Sequence, residues 1–303
     1  MEEFLKRHTK MAVNVPEILY HYTPQVGLLG IIKSKEIWMT HTQYLNDTKE
    51  FHHAIELVKA EIKLKLETAS EDESQILNEM LDGLEPDLST VNICITCFSE
   101  VGDSLSQWRA YGSQMSSYSI GFCGSFLDKV SITKKCRLVK CIYDADEKKA
   151  LISDFVARAL SKILKDRSSK PDEETENWTD GAHMLNSLIS LAPTLKDSSF
   201  ADEKEWRIIS PTLSCKSEGF DYREGGSMII PYFKLPLKFD DMNPKERRIP
   251  LVYVGPTPNK EQSVKSVKSL LLSNGFGDYF ATSPDKIKEL VKVLPSSVPY
   301  RSW

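Results

Sequence analysis

The sequence is poor in the features that define several large protein classes. Six cysteines in 303 residues are too few for a disulfide scaffold. No apolar run approaches the roughly 18 to 20 residues that a membrane span needs. The opening stretch, MEEFLKRHTK, has no apolar core of the kind found in secretion signals. We therefore expect a cytoplasmic protein with reduced thiols and no membrane partner.

An excess of positive charge is also missing. The chain has 39 Lys and Arg against 43 Asp and Glu, which gives a formal net charge of -4. It therefore has no global basic field for a nucleic-acid backbone, so nucleic-acid processing stays open but unsupported. With 41% hydrophobic residues, 14 glycines and 15 prolines, the composition is that of an ordinary globular protein.

The common phosphate and metal motifs are absent as well. There is no GxGxxG and no P-loop, so a nucleotide would need another kind of site. Cys94 and Cys97 match CxxC, but the run reads as a strand, in which positions three apart point to opposite faces. His52 and His53 are adjacent on a predicted helix and diverge by about 100°. We predict no metal site.

The apolar periodicity predicts strands at both ends of the chain with helices inserted between them. This order favours an α+β fold over a doubly wound parallel sheet. We expect a single domain over 1–303, with helical insertions near 47–90 and 145–195 and an exposed loop or a mobile insertion at 165–179. Strands are predicted at 18–23, 37–40, 91–98, 118–122, 138–143, 205–209, 227–233 and 249–254. One helix is predicted to begin at 47, and after a Glu/Asp/Ser-rich break at 68–74 a second helix is predicted through 81. Further helices are predicted near 28–34 and at 104–111, 146–164, 183–191 and 261–273.

His21 is the first candidate for a functional residue. Its imidazole lies in a predicted strand between Tyr20 and Tyr22, where it must find polar partners or face a pocket. A satisfied structural histidine and a site histidine are both open. In contrast, Asp47 and Glu50 form a capping-box pattern before a helix, so capping is the default there and a site role for Asn46 or Asp47 is the alternative.

Glu205 and Arg207 share one face of a predicted strand, and Trp206 shares the other with Ile208. The charged face is either solvated, where such a pair contributes little to stability, or part of a cleft. In a cleft, Glu205 would stabilise a developing positive charge.

Ser99 ends a buried strand, and Trp108 and Tyr111 follow on one face of a short helix. Aromatic side chains three apart usually pack in a core. The alternative is an aromatic wall for a planar ring.

Taken together, ordered blocks along nearly the whole chain resemble an uncharacterised family of bacterial and phage proteins, known only as a domain of unknown function. The blocks are 19–23, 37–40 with Asn46, Asp47 and Glu50, 97–100 with Trp108 and 111–112, 203–207, 230–232, 254–256 and 299–301.

The opening strand with His-Tyr-Thr and the late strand with glutamate also resemble the ADP-ribosyltransferase fold, which binds NAD in the cleft of a split antiparallel or mixed sheet. This resemblance implies that His21 contacts a ribose hydroxyl or the adenosine side, with Tyr22 and Thr23 beside it. Phe98 or Ser99 would support the nicotinamide, and Glu205 would act at the reacting carbon. The second motif lacks the tyrosine of many such transferases, for which Tyr111 or Trp38 would substitute. Trp108 or Tyr111 would stack on the nicotinamide, and Arg207, Arg223 or Arg301 would pair with the pyrophosphate.

The implied function is that of an NAD-dependent ADP-ribosyltransferase-like enzyme. It would use NAD as a substrate, either transferring ADP-ribose to a protein or nucleic-acid acceptor or hydrolysing NAD, as a toxin or an antiviral defence effector. The alternative is a non-catalytic nucleotide-binding or protein-interaction module.

Overall fold

The computed structural model describes residues 14–45, 49–84, 92–111, 117–169, 184–185, 187–237, 248–276 and 291–299. Its centre is a ten-stranded sheet in which every pair is antiparallel except the parallel pair at one end. The strands are β1 Ile18–Pro24, β2 Glu36–His41, β3 Cys94–Ser99, β4 Ser117–Cys123, β5 Arg137–Lys140, β6 Glu205–Ile209, β7 Phe220–Glu224, β8 Ile229–Pro236, β9 Leu251–Val254 and β10 Lys292–Pro295. The helices are α1 Gln25–Ser34, α2 Lys49–Leu66, α3 Glu71–Asp82, α4 Leu105–Tyr111, α5 Gly124–Thr133, α6 Ala145–Ser169 and α7 Lys260–Ser273. The mixed sheet and the inserted helices confirm the predicted α+β class.

The sheet splits along one edge of β3. That edge pairs with β1 only at Tyr20 and Ser99, and with β2 only through Thr40 with Ile95 and His41 with Cys94. The opposite edge pairs continuously with β6 from Ile95 to Ser99. Between its two short ladders, β3 therefore presents residues 96–98 to a gap rather than to a neighbouring strand.

One face of the sheet carries the main apolar core. Leu19, Phe98, Ile120 and Trp206 lie there and pack against the apolar sides of α1, α5 and α7. The strand register places these side chains on the same face, because Phe98 lies opposite Trp206 across β3 and β6 and cross-strand partners share a face. The alternate residues of the same strands face the other side of the sheet.

The helical insertions form a second apolar cluster. Side chains of α2, α3 and α6 pack together with residues 184–195. Ser70 and Glu73 make a capping box that starts α3 at Glu71, inside the stretch predicted as a break. The helix predicted to end at Leu164 continues to Ser169, because Arg167 pairs with Glu79 of α3 and ties the last turn to the cluster. Residues 165–169 are thus helical rather than loop.

Three elements were not predicted: α5, β7 and β10. No helix among the described residues is long and apolar enough to cross a membrane. Several predicted features lie outside the described residues: the cap at Asn46 and Asp47, Gly112, the loop residues 170–179, His183 and Arg301.

Candidate functional site

A cavity of about 140 Å³ occupies the gap in the sheet between β1 and β3. Its walls come from β1, β2, β3, α4 and the start of β6. The lining residues are Tyr20, His21, Tyr22, Trp38, Thr40, Leu45, Ile95, Thr96, Cys97, Phe98, Ser99, Gln107, Tyr111, Glu203 and Glu205. The split in the sheet therefore brings the amino-terminal histidine and the late glutamate to one cavity.

His21 bridges the gap. Its Nδ1 lies 2.9 Å from the Cys97 carbonyl oxygen, at a position where neither β1 nor β2 pairs with β3. Because a carbonyl only accepts, Nδ1 carries the proton. Burial lowers the pKa of the imidazole, against the opposing effect of the Cys97 bond, so the ring is neutral at pH 7. Nε2 is then an unprotonated acceptor, and it makes no hydrogen bond to a described residue.

Glu205 is 3% exposed and lies in a compact network of charges. Arg207 donates from Nε to Oε1 at 2.9 Å and from Nη2 to Oε2 at 3.2 Å. Lys196 donates to Glu205 and to Glu203. The Glu205 backbone N–H donates to the Tyr143 hydroxyl at 3.0 Å. Two cations and two carboxylates thus meet at the inner wall of the cavity.

This network sets the protonation states. Burial alone would raise the pKa of Glu205, but Arg207 and Lys196 outweigh it and lower the pKa to about 2. Burial alone would lower the pKa of Lys196, but Glu205 and Glu203 raise it above its usual value. Burial, followed by the charge of Glu205, raises the pKa of the Cys97 thiol. At neutral pH, Glu205 is a carboxylate beside a neutral thiol.

Several candidates from the sequence support the walls through hydrogen bonds of their own. The Tyr22 hydroxyl donates to the Val101 carbonyl at 2.7 Å and accepts from the Ser104 N–H at 3.0 Å. The Ser99 hydroxyl donates to the Glu203 carbonyl at 2.7 Å and accepts from the Val101 N–H at 3.1 Å. These bonds fix the turn that leads from β3 into α4.

Seven of the residues that the resemblance implies for the site line the cavity: His21, Tyr22, Trp38, Phe98, Ser99, Tyr111 and Glu205. Thr23 and Trp108 are buried beside it. Trp108 packs edge-on against Tyr22, with ring centroids 4.7 Å apart, and donates from Nε1 to Asp103. The Arg207 guanidinium donates hydrogen bonds to the Glu205 carboxylate and to the Pro193 carbonyl. Arg223 lies on β7, where its guanidinium is 3.3 Å from the hydroxyl of Thr40, a cavity residue.

Gln107 and Thr96 are two of the cavity residues to which the sequence analysis assigned no role. Gln107 is 5% exposed, and its amide makes no hydrogen bond within the described part of the chain. It precedes Tyr111 by four positions on α4, which places both on one helix face, so the spacing was an available signal. Thr96 is 4% exposed, and its Oγ1 has no partner among the described residues. No pattern in the sequence distinguishes Thr96 from an ordinary strand threonine.

The described residues contain no group of three His, Cys, Asp or Glu side chains placed to hold a metal ion. Cys94 lies in the apolar core, whereas Cys97 lies opposite Arg207 on the other face of the sheet. The cavity instead offers an imidazole acceptor, an amide that both donates and accepts, a hydroxyl and a carboxylate. This set can both donate hydrogen bonds to a polar ligand and accept hydrogen bonds from it.

Comparison with known proteins gives one match. Residues 107–208 match the model of a family described as Protein of unknown function (DUF2971). The matched range holds Gln107, Tyr111 and Glu205 but not His21 or Trp38, so it covers one wall of the cavity. No curated protein and no solved structure matches the chain. A domain of unknown function at residues 107–208 is therefore what the comparisons establish.

Proposed function

We propose that the protein binds NAD with the nicotinamide ring in the cavity between β1 and β3 and cleaves the bond between nicotinamide and ribose. The supporting observation is that His21, Gln107 and Glu205 converge on one cavity of about 140 Å³. An engineered cavity of about 150 Å³ holds one benzene molecule, so this volume suits a single six-membered ring.

The polar groups of the cavity complement the nicotinamide end of the dinucleotide. A carboxamide donates and accepts, and the Gln107 amide has both complementary functions available within the described part of the chain. The Thr96 hydroxyl supplies a further bond in the same cavity. His21 Nε2 accepts from a ribose hydroxyl. Phe98 and Tyr111 provide aromatic surface for the ring.

In the reaction, the bond between nicotinamide N1 and ribose C1′ breaks and its electron pair leaves with the nitrogen. The pyridinium becomes neutral nicotinamide, and C1′ becomes an oxocarbenium-like centre. The oxygen of water or of an acceptor hydroxyl adds to C1′ and releases one proton. Glu205 stays ionised through the neutral range and is held rigidly by Arg207 and Lys196, which suits a fixed carboxylate beside the developing cation.

The test is release of nicotinamide from NAD by the purified protein, measured by liquid chromatography. We expect Glu205→Gln to lower the rate by about a hundredfold or more, and His21→Ala and Gln107→Ala to raise the NAD dissociation constant by about tenfold. Glu224→Gln, a substitution of an exposed glutamate on β7, is the matched control. Unfolding curves identify any loss due to misfolding. Equal turnover in all five proteins would refute the proposal.

A second candidate is a nucleotide-binding module without chemistry. It is favoured by the observation that both oxygens of Glu205 are already engaged by Arg207 and Lys196. This candidate predicts stabilisation without nicotinamide release, by about 2.7 kcal/mol at a ligand concentration of a hundred times the dissociation constant. Thermal unfolding with NAD, read beside the turnover assay, separates the two candidates.

An active enzyme would act in cells as a toxin or a defence effector, by depleting NAD or by modifying a protein or nucleic acid in the cytoplasm. We expect induced expression to lower cellular NAD, and Glu205→Gln to abolish that effect at equal protein level.

A further inference from the structure

We infer that Trp38 is a stacking platform for the adenine base at the other end of the bound dinucleotide. The inference rests on the proposed function, because the cavity of about 140 Å³ holds one ring and a dinucleotide has two ring systems. The second ring system must lie outside the cavity, within the reach of one ribose–pyrophosphate–ribose link. The structure therefore needs a flat, accessible surface at the cavity mouth.

Trp38 provides such a surface. Its side chain lines the cavity mouth and is 46% exposed. On one side the indole stacks on the buried ring of Tyr232, with centroids 4.4 Å apart and an angle of 28°. Tyr232 holds the indole in place, and the exposed remainder of Trp38 is open for a second planar group. Tyr111, the other half-exposed aromatic side chain of the cavity, lies near the carboxylates of Glu205 and Glu203, where a base would meet negative charge.

Charge next to Trp38 favours a nucleotide over an apolar occupant. Arg223 reaches from β7 across β8 to the Thr40 hydroxyl, on the face that carries Trp38 and Tyr232. It forms no ion pair with a described residue. Lys234 is 2.7 Å from Asp221, so its charge is balanced. The Arg223 guanidinium is thus the cation available to a pyrophosphate that leads from the cavity to the platform.

The test uses three separate probes in calorimetric titrations: AMP, ADP-ribose and nicotinamide mononucleotide. We expect Trp38→Ala to weaken AMP and ADP-ribose binding by about tenfold to a hundredfold, the range found when a stacking aromatic is removed, and to leave mononucleotide binding within about threefold. Trp38→Phe keeps a stacking ring and should stay within about threefold for all three probes. Tyr222→Ala removes an exposed aromatic from the opposite face of β7 and is the matched control.

Intrinsic fluorescence gives a second readout. The sequence has five tryptophans, of which Trp108 and Trp206 are each 2% exposed. Stacking of adenine on Trp38 should quench emission in the wild type, and Trp38→Phe should lose the part of the quenching that Trp38 contributes. Unaltered AMP and ADP-ribose binding in Trp38→Ala would overturn the inference even if NAD binds. Weakened mononucleotide binding with unaltered AMP binding would also overturn it, since Trp38 would then belong to the nicotinamide end. Binding of AMP through Trp38 without nicotinamide release would sustain the platform while refuting the proposed catalysis.

Discussion

The buried network around Glu205 predicts a specific dependence of stability on acid. The pKa of the Glu205 carboxyl falls from 4.5 to about 2 on folding, because the charges of Arg207 and Lys196 outweigh the opposing effect of burial. A group whose pKa is lower in the folded state contributes stability above its unfolded pKa and loses that contribution as pH falls toward its folded pKa. With about 1.36 kcal/mol per unit, the contribution is about 3 kcal/mol at pH 6 and about 1 kcal/mol at pH 3.

The assay is urea unfolding of the wild type and Glu205→Gln at several pH values between 6 and 3. Glutamine keeps a hydrogen-bond acceptor but does not titrate, so the change in the stability difference with pH isolates the carboxylate. We expect the wild type to lose about 2 kcal/mol more than the variant between pH 6 and pH 3. A stability difference that stays constant over this range would refute the account, because it would mean that Glu205 has an ordinary pKa in the folded protein.

Three further predictions concern stability and reactivity. Gly27→Ala should destabilise the protein by about 1 to 3 kcal/mol in urea unfolding, because the added Cβ would lie 1.9 Å from Thr23 Oγ1. Gly30→Ala should stabilise it by about 0.5 to 1 kcal/mol, because a Cβ there would meet nothing within 4 Å. Similar effects at both positions would contradict this prediction. Asp103→Ala should lower the free energy of unfolding by about 2 kcal/mol, because the carboxylate accepts hydrogen bonds from Trp108 Nε1 and from the Ser297 N–H. A decrease below about 0.5 kcal/mol, the effect of an ordinary surface substitution, would show that these two hydrogen bonds contribute little. At pH 8, Cys97 should react with a thiol reagent far more slowly than the exposed Cys215, because burial raises the pKa of Cys97; comparable rates by mass spectrometry would count against the buried network.

Local pattern was sufficient to predict the elements that carry the cavity. β1 is rich in β-forming residues, β3 is an apolar run, β6 alternates charged and apolar residues, and α4 has helical spacing. The predicted spans therefore overlap the observed ones closely. The missed elements lack such signals. α5 starts directly after β4, with Cys123 at its N-cap and no side-chain cap. β7 is a short edge strand with charged side chains, and β10 has only four residues.

The split in the sheet and the network of charges could not be derived from local pattern. Both depend on strand order, which places β3 between β6 on one edge and parts of β1 and β2 on the other. The sequence left open whether Glu205 was solvated or in a cleft. The structure gives it a partner, Lys196, that lies outside the predicted strand and has no spacing to suggest the pair. Thr96 illustrates the same limit, since only the gap distinguishes it from its neighbours.

The most direct measurement is a crystal structure of the protein determined from crystals soaked in a saturating concentration of nicotinamide. The account predicts the ring between β1 and β3, with its carboxamide on the Gln107 amide and its aromatic face against Phe98 or Tyr111. An empty cavity at that concentration, or a ring bound at another surface, would contradict it.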